Sequence, residues 1–133
     1  MFKVIETFSG IGAQAKALEN INAEFEIVHT ADWDINAIIA YYAIHNYSPQ
    51  HFDKYKSVSD NAIEKFLSEL TLSSDGKKPI NERYFNRLNK QVKRLLYIAI
   101  KETKNFVSIT DMHGTDIPNN IDLFTYSFPC QDL

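Results

Sequence analysis

The sequence is poor in cysteine, proline and glycine, with one, four and four of them in 133 residues. A single thiol, Cys130, excludes an intrachain disulfide, and with no partner at metal-ligand spacing it points to no metal site. Its presence must be explained by packing or by thiol chemistry. No apolar run approaches the length of a membrane span. The opening residues Met1 to Glu6 carry one lysine before a strand-like run, unlike a secretory signal or transit peptide. A cytoplasmic chain with no membrane partner is therefore expected. A large charge excess is also lacking: a formal net charge of -3 and a pI near 5.8 argue against a dedicated nucleic-acid-binding module. There is no internal repeat or low-complexity tract, and the length asks for no second independent domain.

What is present is enough apolar material for one core, 44% hydrophobic and 13% aromatic, and an uneven charge distribution. Between Gly76 and Lys104 nine basic residues face two acidic ones, a local +7, which leaves -10 for the rest of the chain. Lys3 to Thr7 reads as a strand, Phe8 to Gly12 as a tight turn and Ala13 to Asn20 as a helix. Phe25 to Ala31 reads as a second strand. Asp34 is a plausible N-cap for a helix whose apolar positions Ile35, Ile38, Ile39 and Tyr42 follow a 3.6 period. This βαβ unit feeding a further helix is a doubly wound α/β pattern. Asp60 to Leu72 and Ile80 to Thr103 have helical periodicity and are separated by a loop at 72–76. Two later apolar runs, Phe106 to Ile109 and Ile121 to Phe128, read as strands, the second too continuous to be half-exposed and so expected to be buried on both faces.

Two features of this pattern suggest a ligand. Gly10, Gly12 and Ala15 satisfy the loose G-x-G-x-x-G/A fingerprint directly after the first strand, where a side chain would obstruct a ligand or forbid the turn's dihedrals. Asp32 stands at the tip of the second strand, about where a carboxylate meets ribose hydroxyls. Trp33 beside it could lie against an adenine or belong to the core. These features indicate a nucleotide site and do not separate a dinucleotide from S-adenosylmethionine. The competing reading, a plain turn and a helix cap, is weakened by the position of both features at strand ends. Cys130 follows Pro129 at the end of the last apolar run, the edge of an open sheet where catalytic groups collect.

Three segments, taken in order, carry a family resemblance. Glu6-Thr7-Phe8-Ser9-Gly10-Ile11-Gly12 resembles the cofactor motif of the DNA (cytosine-5) methyltransferases. Ala31-Asp32-Trp33-Asp34 is similar to that family's second motif, and Ser127-Phe128-Pro129-Cys130-Gln131 resembles its Pro-Cys-Gln nucleophile motif. The resemblance implies a Rossmann-like S-adenosylmethionine-dependent methyltransferase fold, truncated, with a mostly parallel sheet in which the first strand is central. It implies a cofactor site of Phe8, Ser9, Gly10, Ile11, Gly12, Asp32 and Trp33, joined by Ser108 and Ile109 from the third motif. In the implied chemistry the Cys130 thiolate adds to cytosine C6 and makes C5 nucleophilic. C5 then takes the methyl group and loses its proton, and the thiolate leaves. The base must first be flipped out of the duplex. Pro129 and Gln131 would shape the loop that presents the nucleophile.

The chain also departs from the family pattern. The third motif commonly ends in an acidic residue, where this sequence has Ser108, with Asp111 as an alternative. A segment from about 49 to 105 reads as a helical insertion. On its second helix Arg83, Arg87, Lys90, Arg94 and Lys101 share a stripe that is either a solvated face or, through Arg87, Lys90 and Arg94, a grip on DNA backbone. The family's later Glu-Asn-Val and Gln-x-Arg-x-Arg motifs and its target-recognition region are not in the sequence. The expectation is thus an amino-terminal part of an enzyme that methylates double-stranded DNA, of the restriction-modification kind and inactive by itself. A complementing carboxy-terminal half would be its partner. The alternatives are an RNA cytosine-5 methyltransferase part and a non-catalytic subunit of a split enzyme. Adenine and cytosine-N4 amino methyltransferases are disfavoured, because no Asp/Asn/Ser-Pro-Pro-aromatic motif occurs.

Overall fold

The structure, a computed structural model, describes residues 1–127. Its elements are β1 (Phe2–Thr7), α1 (Ala13–Asn20), β2 (Phe25–Ala31), α2 (Ile35–His45), α3 (Gln50–Lys54), α4 (Asp60–Ser68), α5 (Glu82–Arg87), α6 (Lys90–Glu102) and β3 (Leu123–Thr125), with two 3-10 turns, Ile109–Asp111 and Gly114–Asp116. The strands form a parallel sheet in the order β2-β1-β3. This is an α/β arrangement of Rossmann-like kind, with the first strand central as expected. Val4, Ile5, Glu6 and Thr7 are all buried. A strand covered on both faces needs a continuous rather than alternating apolar run, and a buried carboxylate within it needs partners.

The connections follow from local chemistry. Asp34 caps α2, its carboxylate accepting the N–H groups of Asn36 and Ala37; such a cap contributes about 1 kcal/mol. Helix α2 then lays Ile35, Ile38 and Tyr42 into a core completed by Ile63 and Leu67 of α4 and by Leu96, Ile98, Ala99 and Ile100 of α6. The segment 49–105 therefore shares one core with the βα unit. No helix among the described residues is long and apolar enough to cross a membrane.

Three expectations are corrected. The basic helix expected over Ile80 to Thr103 is two helices. Asn89 stands between them in extended backbone and caps α6 through Val92 N–H, because a short amide side chain competes with helical hydrogen bonding. The strand expected at Phe106 to Ile109 does not form. Asn105 makes an isolated parallel bridge to Thr30, and the chain then turns at Val107, whose φ is +68°. The strand expected at Ile121 to Phe128 is Leu123–Thr125 within the described residues. It lies at the sheet edge, with Leu123 and Phe124 about two-fifths exposed, instead of buried on both faces. Among the described residues it pairs with β1 alone, and no strand pairs with its other edge.

Candidate functional site

The carboxyl ends of β1 and β2 lie side by side, and the turns that leave them enclose a cavity of about 520 Å³. This is within the range of small-molecule sites. Phe8 and Gly10 from the first turn line it, with Asp32, Trp33 and Asp34 after β2, Val107, Ser108 and Ile109 opposite, and Ser127 at the end of the described residues. Topology produces this crevice: in an open parallel sheet both strand ends release the chain on the same side.

The first turn is held in an unusual backbone conformation. Phe8, Gly10 and Gly12 have φ of +51°, +52° and +87°, in the left-handed region that favours glycine. Asp32 supports the turn from the front. One carboxylate oxygen accepts Gly10 N–H at 2.8 Å and the other accepts Asp34 N–H at 2.9 Å. A carboxylate has about four acceptor sites, more than the backbone donors around this one, so the group can still accept a hydroxyl proton from a ligand. Burial pushes the Asp32 carboxyl above its ordinary range, against these hydrogen bonds, which work downward. A Cβ at Gly10 would meet nothing within 4 Å, so a side chain there would project into open space on the cavity wall.

Opposite Asp32, Asn105 fixes the far wall. Its side-chain oxygen accepts the N–H groups of Asp32 (3.1 Å) and Val107 (2.8 Å), and its amide donates to the Asp32 carbonyl at 3.0 Å. Val107 thus holds a left-handed backbone that a β-branched residue seldom adopts, a form of strain that persists only where its surroundings over-determine it. Ser108 is buried and caps the turn that follows, its hydroxyl accepting Thr110 N–H.

Of the residues expected at the cofactor site, Phe8, Gly10, Asp32, Trp33, Ser108 and Ile109 come together on one cavity. Ser9, Ile11 and Gly12 do not line it. Ser9 is buried and its carbonyl accepts Gly12 N–H, while Ile11 is exposed, so these residues shape the turn. Trp33 lines the cavity and also packs against the core cluster. Pro129, Cys130 and Gln131 lie outside the described residues.

The members of the basic stripe differ in their surroundings. Arg94 donates to the carbonyls of Tyr55 and Val58 and to Asp60, so its guanidinium is occupied inside the fold. Arg87 and Lys90 are exposed and make no ion pair among the described residues. Lys93, outside the stripe, is buried against Glu64 and the Phe85 ring.

Sequence reasoning missed two contributors. Asn105 could have been suspected, because a short amide at the start of an apolar run often turns the chain. The loop expected at 72–76 is built around buried Ser73, whose hydroxyl accepts Gly76 N–H and donates to the Lys78 carbonyl. Ser73 also pairs with Asp34, and the loop places Gly76 and Lys77 on the cavity wall.

Comparison with known proteins follows the same lines. A family model described as C-5 cytosine-specific DNA methylase matches residues 2–70 and 68–133. The orphan methyltransferase M.SssI of Spiroplasma monobiae is 43% identical over 135 residues, covering 98% of this chain and 34% of that protein. The type II methyltransferase M2.ScrFI of Lactococcus lactis subsp. cremoris is 33% identical over 133 residues, covering 100% of this chain and 36% of that protein. The orphan methyltransferase M.Rho11sI of Bacillus phage rho11s is 38% identical over 65 residues, 48% of this chain. The chain spans about a third of the length of the first two relatives.

Proposed function

The chain belongs to the C-5 cytosine-specific DNA methylase family, and on that premise we propose that it forms the cofactor-binding and nucleophile-bearing part of an enzyme that methylates C5 of cytosine in double-stranded DNA. The observation that supports this most is the convergence of Phe8, Gly10, Asp32, Trp33, Ser108 and Ile109 on one cavity at the strand ends. S-adenosylmethionine suits that cavity, because it has an adenine for the apolar and aromatic wall and ribose hydroxyls for the Asp32 carboxylate. Bound there, it would supply the methyl group.

The residues of the chain would divide the work. Asp32 accepts the ribose hydroxyls, Trp33 and Ile109 flank the adenine, and Phe8 and Gly10 face the remainder, with Ser9, Ile11 and Gly12 giving the turn its shape. Ser108 sets the far wall, where the family more often has an acidic residue. Cys130 is the nucleophile: its thiolate sulfur bonds to cytosine C6, C5 gains the methyl group and loses its proton, and the C6–sulfur bond breaks to return the thiolate. Pro129 and Gln131 shape its loop.

Segment 49–105 we read as a helical insertion relative to compact family members. Its exposed Arg87 and Lys90, and no longer Arg94, are the residues we assign to DNA phosphates. If so, replacing both with glutamine lowers the salt slope of DNA binding by about two, one for each lost phosphate contact. A cytoplasmic location and a place in a restriction-modification system complete the proposal.

The test is calorimetric titration with S-adenosylhomocysteine. The chain should bind it, and Asp32→Ala should weaken binding about tenfold or more, the effect of losing a charged hydrogen-bond acceptor. Equal binding by the two proteins would remove Asp32 from the site.

A further inference from the structure

Cofactor binding as proposed relies on a turn in which Phe8 is held in left-handed backbone and Gly10 and Gly12, which adopt it without strain, leave the chain with much conformational freedom to lose. Asp32 restrains it on the cavity side, and a second restraint acts from behind. His45, the last residue of α2, places its ring Nε2 2.9 Å from the Ile11 carbonyl oxygen. Because that oxygen can only accept, Nε2 carries the proton and donates. The same ring occupies the space a side chain at Gly12 would need: a Cβ built there would lie 2.1 Å from Nε2 and 2.7 Å from Cδ2.

The ring is itself held. It packs against Tyr41 at 4.6 Å between centroids, and the Tyr41 hydroxyl donates to the Glu6 carboxylate at 2.9 Å. Glu6, fully buried in β1, uses its other oxygen to accept Ala15 N–H in the first turn of α1. Glu6, Tyr41 and His45 therefore connect β1, α1 and α2 to the back of the glycine turn. None of the three lines the cavity.

We propose that His45 is a positioning residue for the cofactor site, a clamp that fixes the turn at Ile11 and Gly12 before ligand arrives. This rests on the cofactor reading and gives Gly12 a different reason to be glycine. Gly10 leaves the cavity wall open, whereas Gly12 makes room for the clamp. A ligand meeting a turn already ordered loses less freedom on binding, so the clamp raises affinity without touching the ligand.

The experiment combines S-adenosylhomocysteine titration with thermal unfolding for the wild type, His45→Ala, His45→Gln, Gly12→Ala and the double variant Gly12→Ala/His45→Ala. His45→Ala should weaken binding about tenfold by leaving the turn to be ordered by the ligand. His45→Gln, whose side-chain amide can donate from nearly the same place, should restore most of it. A fold-supporting histidine alone would give no such rescue of affinity at equal melting temperature.

In unfolding, Gly12→Ala should be less harmful in the His45→Ala background than in the wild type, because only the backbone strain remains once the ring is gone. Wild-type affinity in His45→Ala, or a loss that His45→Gln does not restore, would overturn the proposal. So would strictly additive losses of stability. If the wild type bound no S-adenosylhomocysteine, the cofactor reading would fail, and additivity in unfolding would still decide whether His45 clamps the turn.

Discussion

The strand-end region and the helical segment use their side chains in opposite ways. Around the cavity, Phe8, Gly10, Gly12 and Val107 hold left-handed backbone, and the Glu6 and Asp32 carboxyls are pushed up by burial. In the helical segment the charges are matched instead. Burial works upward on Glu102, but hydrogen bonds from Lys54 and Tyr55 hold its carboxyl below the usual range. Arg94 meets two carbonyls and Asp60, and Lys93 meets Glu64. Much of the apolar core is there too, in α4 and α6 against α2. The difference shows that stability and binding are placed in separate parts of one small fold. Satisfied, well-packed helices support a strand-end region in which strained backbone and the desolvated Asp32 carboxylate face the cavity.

The largest expected effect tests the helical side of that comparison. Leu96 is fully buried at the centre of the shared core, so Leu96→Ala should lower unfolding stability by about 2–5 kcal/mol in urea denaturation. A loss well below that range would mean the helices contribute less to stability than the comparison requires. Next comes Arg94→Ala, which leaves the Tyr55 and Val58 carbonyls without their donor. It should cost about 1–3 kcal/mol and leave the salt slope of DNA binding unchanged. A flattened slope would return Arg94 to the nucleic-acid surface.

On the strand-end side, Asp32→Asn turns an amide donor toward one of the two backbone N–H groups that the carboxylate accepts, so it should cost about 1 kcal/mol of stability, less than Leu96→Ala, while weakening S-adenosylhomocysteine about tenfold. A stability loss as large as that of Leu96→Ala would erase the distinction between the regions.

The smallest effect is in pH. The Glu6 carboxyl in the folded chain titrates above the ordinary value of 4.5, because burial raises it against the Tyr41 and Ala15 hydrogen bonds. Between those two pKa values the folded state binds more protons than the unfolded one, so the Glu6 contribution to stability falls as pH rises through the window and is recovered on acidification. Glu6→Gln should remove that part of the slope in urea midpoints compared at about pH 7 and about pH 5. An unchanged slope would mean that Glu6 is not the group responsible.

The parts of the fold legible in the sequence were those where one local rule acts alone. Lys3 to Thr7, the glycine turn, Phe25 to Ala31 and the Asp34-capped helix are set by apolar period and a capping side chain, and they appear nearly where expected. Part of the cavity was legible for the same reason, since Phe8, Gly10, Asp32 and Trp33 follow strand ends that topology brings together, whereas Ser108 and Ile109 were expected from the family resemblance and stand after a strand that does not form. What was not legible depended on side chains meeting across the chain. Asn105 closes the far wall by binding Asp32, 73 positions earlier, and Asn89 divides a periodic helix with one cap. His45 meets Gly12 only once α2 has packed.

The central claim, that the strand-end cavity is the cofactor site, is tested most directly by following individual amides in a nitrogen-15 NMR titration with S-adenosylhomocysteine. The account predicts that the Gly10 amide and the Trp33 indole N–H shift together and saturably, while the exposed amides of α5 stay still. Saturable binding that leaves Gly10 and Trp33 unmoved would contradict it.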